Sequence, residues 1–127
     1  MRALCLLTLL CVGCATWQQN TQVALDSIHE AARQASSIAE KEFDRKCSEA
    51  ALQCAALAPD APCYKLQACK EQFQTFNNAV LAIHYLVIDG KLAITIADKQ
   101  SVIERIAKAT KMLIEMRNQL HSLGWIP

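Results

Sequence analysis

The chain has only three glycines in 127 residues, and none sits in a loop that could cradle a phosphate or a dinucleotide. No G-x-S-x-G turn is present, so the strained elbow that presents a nucleophilic serine is missing too. Charge of either sign is not in excess: 13 basic side chains face 12 acidic ones, and the broad positive field of a nucleic-acid binder is absent. No C-x-x-C occurs, which removes the usual basis for a thioredoxin-like redox role. His29-Glu30-Ala31-Ala32-Arg33 stops one residue short of H-E-x-x-H, because arginine stands where the second zinc-binding imidazole is needed. These gaps point away from an enzyme. No catalytic residue, cofactor, metal site or nucleic-acid partner is expected.

What is present begins with Met1-Arg2 and the apolar run Ala3 to Val12, too short to span a bilayer as a helix but suited to an export signal. The run ends in Leu10-Cys11-Val12-Gly13-Cys14-Ala15, which resembles the lipobox of bacterial lipoproteins, although Cys11 stands where leucine is commonest. The resemblance implies cleavage after Gly13, a lipid on Cys14, and a membrane as the first partner. Ala15 after the acylated cysteine is similar to lipoproteins sorted to an outer membrane. Small residues at Gly13 and Ala15 also suit ordinary cleavage after Ala15. Either cut removes Cys5 and Cys11 and leaves four cysteines for pairing, and an even number in an exported chain predicts two disulfides.

From Trp17 to about Ala58, small or apolar residues recur at close to the helical repeat: Leu25, Ile28, Ala32, Ala35, Ala39, Phe43, Cys47, Ala50, Cys54 and Leu57. Asp26, Glu30, Arg33, Lys41, Asp44, Arg45 and Glu49 fall off that stripe, so one long amphipathic helix is predicted. Pro59 and Pro62 end it and fix a tight turn. A second helix follows from about Pro62 to Ile88 on Cys63, Leu66, Cys69, Phe73, Phe76, Val80, Ile83 and Val87. Asp89-Gly90 reads either as the end of this helix or as the turn of a β-hairpin. The helical reading is preferred, because no other strand exists for a hairpin to join. A third helix is predicted from Leu92 to Gly124, with Leu92, Ile96, Ile103, Ile106, Leu113, Met116, Leu120 and Leu123 on its seam and Trp125-Ile126-Pro127 docking as a tail. The fold class is therefore all-α, an antiparallel three-helix bundle. Residues 1–13 form the signal, 14–24 a lipidated cysteine and tether, and 25–127 the domain.

Helix geometry selects the cysteine pairing. On one helix Cys47 and Cys54 are about 10.5 Å apart and Cys63 and Cys69 about 9 Å, beyond the roughly 7 Å that a disulfide spans. Cys54 and Cys63 are nearly equidistant from the turn, as are Cys47 and Cys69, so nested pairs Cys54 with Cys63 and Cys47 with Cys69 fit an antiparallel hairpin. A four-thiolate zinc site would have spacings of C-x6-C and C-x5-C instead of the short C-x2-4-C pairs, and export favours oxidation.

The expected protein is a small exported, lipid-anchored, non-enzymatic module on the periplasmic face of a bacterial outer membrane, acting through a protein partner or through self-association. The alternative is a binding module for a small apolar ligand between the second and third helices, where Ala79 to Ile88 and Leu92 to Ile96 are more apolar than one seam requires. His84 is expected to be partly buried beside that seam, and His121 to sit as a favourable charge at the end of the third helix.

Overall fold

The computed structural model describes residues 2–127, with side chains described from Thr16 onward. Three helices form the chain: α1 (Arg2–Leu57), α2 (Tyr64–Thr95) and α3 (Lys99–Ser122), all packed against one another. No strand occurs among the described residues, so the hairpin reading of Asp89-Gly90 fails. The fold is an all-α antiparallel three-helix bundle.

Every buried side chain among the described residues is apolar. From α1 the predicted stripe Leu25, Ile28, Ala32, Ala35, Ala39 and Phe43 is buried throughout. Its three alanines let the neighbouring backbones approach closely, and the volume comes from the larger residues opposite: Phe76, Ile83 and Val87 of α2 and Val102, Met116 and Leu120 of α3. Phe43 is the hub at one end of this core. Its ring lies 5.2 Å from that of Phe73 and 6.2 Å from that of Phe76, and Trp125 meets it edge-on at 4.6 Å.

Helix α1 starts earlier than the sequence pattern suggested. Within this continuous helix the Thr21 hydroxyl donates back to the carbonyls of Trp17 and Gln18. The segment expected as a tether therefore touches the bundle from Trp17 onward: Gln18 Nε2 donates to the Ile94 carbonyl, and the Lys99 ammonium lies 6.0 Å from the Trp17 ring. At the other end the helix stops at Leu57 before Pro59, as predicted. Pro62 does not open α2, which starts one residue after Cys63.

The second connection departs most from the sequence reading. Helix α2 runs straight through Asp89-Gly90 and ends only at Thr95. Gly90 is buried, and a Cβ placed on it would lie 2.9 Å and 3.0 Å from the two methyl carbons of Leu25. The glycine is there so that Leu25 can rest on the α2 backbone, and that tertiary contact offsets a helix-propensity cost of about 1 kcal/mol. The chain reverses instead at Ala97, which adopts a left-handed φ of 55°. The Asp98 amide donates to the Ala93 carbonyl at 2.9 Å and the Ala97 amide to the Ile94 carbonyl at 3.0 Å, the paired bonds of a Schellman ending. Asp98 then caps α3, its Oδ1 accepting from the Ser101 amide at 3.1 Å. One aspartate thus closes α2 and opens α3.

This later break shifts the α3 seam. Leu92 lies in α2 and Ile96 caps its C-terminus, and with Ile103 they are exposed, whereas Val102 and Ala109 take the buried positions beside Met116 and Leu120. Gly124, at φ 73°, ends α3 with a second Schellman pair, Trp125 amide to Leu120 carbonyl and Gly124 amide to His121 carbonyl. That turn carries Trp125 back onto Phe43, so the tail docks on the bundle as expected.

Candidate functional site

The four predicted cysteines pair as the geometry required: Cys47 with Cys69 and Cys54 with Cys63, each with Cα atoms 5.6 Å apart. Two such bonds place the chain in an oxidising compartment. Beyond Phe43 on α1 and before Phe76 on α2, only Cys69 is buried, and Leu52, Leu57 and Tyr64 stand in solvent. The disulfides therefore clamp a two-helix overhang that the third helix does not cover. Cys14, the predicted acylated residue, and the signal around it lie outside the residues whose side chains are described.

Between α1 and α2 lies an open cleft of about 300 Å³ lined by His29, Arg33, Glu40, Val80 and Leu81, with His84 at its edge. His84 is exposed instead of partly buried, because it falls a quarter-turn off the seam residue Ile83. Its ring is 5.3 Å from that of His29. Arg33 makes two bonds to Glu30, at 3.0 Å and 2.9 Å, and these bonds keep the Glu30 carboxyl below its usual pKa. One turn away Lys91 of α2 donates to Asp26 of α1 and lowers that carboxyl in the same way. Among the described residues no three histidine, cysteine or acidic side chains gather to hold a metal. His121 is the basic residue in the last turn of α3.

The surface that stands out is the side of α2 turned away from the core. Leu81, Tyr85, Ile88, Leu92 and Ile96 are 51%, 62%, 41%, 60% and 75% exposed, and they succeed one another by three or four residues along four turns. The buried set Phe76, Ile83, Val87 and Gly90 occupies the opposite side. By length and composition α2 is apolar enough to cross a membrane, and its apolar residues divide between the bundle core and an outward face. This accounts for the apolar excess read in Ala79 to Ile88 and Leu92 to Ile96: it forms an external stripe. The signal for it was a second run of three- and four-residue steps half a turn out of phase with the seam, hidden when Leu92 and Ile96 were assigned to the third helix.

The flanks of the stripe are weakly charged. Asp89 lies on one side and His84 and Lys91 on the other, with Lys91 already paired to Asp26. Compared with family models, with curated proteins and with solved structures, the chain matches none.

Proposed function

We propose that the chain is a non-enzymatic, lipid-anchored interaction module of a bacterial cell envelope, exported to the periplasmic face of the outer membrane, and that it docks protein on the outer face of α2. The observation that carries this reading is the stripe Leu81, Tyr85, Ile88, Leu92 and Ile96. Soluble monomers rarely leave contiguous apolar patches beyond a few hundred Å² without an interaction to cover them. The lipobox-like Leu10 to Ala15 supports Cys14 as the anchor, and the two disulfides support export.

Anchor and stripe are related in space. Gln18, four residues after Cys14, bonds Ile94 at the α2 end where the stripe finishes. An anchor at Cys14 puts that end of the bundle nearest the membrane and points the stapled overhang away from it. A palmitate analogue supplied to cells is expected to label the wild type and not Cys14→Ser, with the variant lost from the membrane fraction. Equal labelling of both would contradict the anchor. For the docking face, a photo-reactive phenylalanine at Tyr85 is expected to trap protein in cells, while the same probe at the exposed Lys111 of α3 does not.

A further inference from the structure

We infer that the occupant of the α2 stripe is a second copy of the same chain, packed parallel through α2, an inference that rests on the anchored-module reading above. The stripe has the spacing of a two-heptad coiled-coil seam: Leu81 and Ile88 take one core position, Tyr85 and Leu92 the other. In a parallel pair each of these residues meets its own copy.

Area is the first support. The five side chains expose on the order of 500 Å² of apolar surface per copy, and two copies together reach the roughly 1,000 Å² that a specific interface needs. Charge is the second. A parallel seam sets the residue before each core position against the residue that follows the next one on the other helix. This brings His84 of one copy beside Asp89 of the other, and the two-fold repeats the contact, so an imidazole and a carboxylate meet on both flanks. Lys91 falls opposite Ile96 of the second copy, where its aliphatic stem covers the isoleucine while its ammonium stays with Asp26. An antiparallel pair would lose the His84 to Asp89 contact, since each flank would then meet itself. Anchoring is the third support. Two chains held by Cys14 in one membrane present their α2 helices in the same direction.

A lipid surface fits the stripe less well. Helices that lie in a membrane interface carry lysine and arginine along both edges of the apolar face, and here the one lysine is already paired and Asp89 lies opposite it.

The test uses the full-length protein in its own membrane, with a photo-reactive phenylalanine at Leu92. Parallel pairing predicts an adduct of twice the mass whose crosslink maps between Ile88 and Ile96 of the second copy. The adduct is expected to disappear when Ile88→Glu is added, while helicity and both disulfides persist in that variant. A crosslink to Leu81 of the second copy would overturn the parallel arrangement. An adduct with a different protein would overturn self-pairing and leave the interaction-module reading standing. No adduct from either position 92 or position 85 would overturn both.

Discussion

The two ends of the α1 and α2 hairpin are held by different physics. From Trp17 to Phe43 of α1 a third helix lies alongside, and large apolar side chains from all three helices are removed from water. From Cys47 to Cys69 there are only two helices and a turn, almost nothing is buried, and two disulfides take over. Two helices alone cannot enclose a core, so a sequence that extends a hairpin past its third helix must fasten it in another way. Covalent closure suits that place because it acts on the unfolded chain and does not need buried area.

The largest expected effect is in the body. Phe43→Ala removes the ring that joins Phe73, Phe76 and Trp125, and is expected to cost about 3–5 kcal/mol in urea unfolding, with all three helices lost together. A loss below 1 kcal/mol would mean that the body does not depend on this hub. Next comes the overhang. Replacing either cysteine pair by serine is expected to weaken it by about 3 kcal/mol, slightly more for Cys47 with Cys69 because that bond closes the longer loop. Limited proteolysis should then cut near Ala58 to Pro62 while the body survives.

Gly90→Val probes the closest approach in the body. Its branched side chain meets Leu25, which has no solvent-facing space to enter, and a loss of about 1–3 kcal/mol is expected by thermal unfolding. Ala97→Gly works in the opposite direction. Relief of the left-handed backbone is expected to raise stability by about 0.5–1 kcal/mol, with the bundle unchanged.

The smallest effect is electrostatic. Bonding from Ser101 lowers the Asp98 pKa, so the stability this cap supplies is complete above the unfolded-state value and is lost as pH falls through the lower folded-state value. Asp98→Asn should therefore flatten part of the melting-temperature decline on the acid side of the usual aspartate range. Identical acid profiles for the two proteins would remove Asp98 as a pH-dependent cap.

Much of the body was legible in sequence because one interaction dominated it. The stripe from Leu25 to Phe43 had no competing pattern, and the cysteine pairing followed from distances on a helix. The second turn was not legible, for a physical reason. Gly90 carries the usual mark of a helix end but serves a tertiary contact with Leu25, whereas the true reversal uses Ala97, whose side chain gives no hint of left-handed backbone. Asp98, three residues before Ser101, was the available sign of the next helix start. Placing the break at Gly90 moved Leu92 and Ile96 onto the wrong helix, and the outer face of α2 disappeared from view with them.

Hydrogen exchange followed by mass spectrometry, with and without reductant, tests the division of the hairpin most directly. Covalent closure of the overhang predicts that reduction raises exchange from Cys47 to Cys69 and leaves Leu25 to Phe43, Phe76 to Ala93 and Val102 to Leu120 protected. Loss of protection along all three helices at once would show that the disulfides hold the whole bundle, and would contradict it.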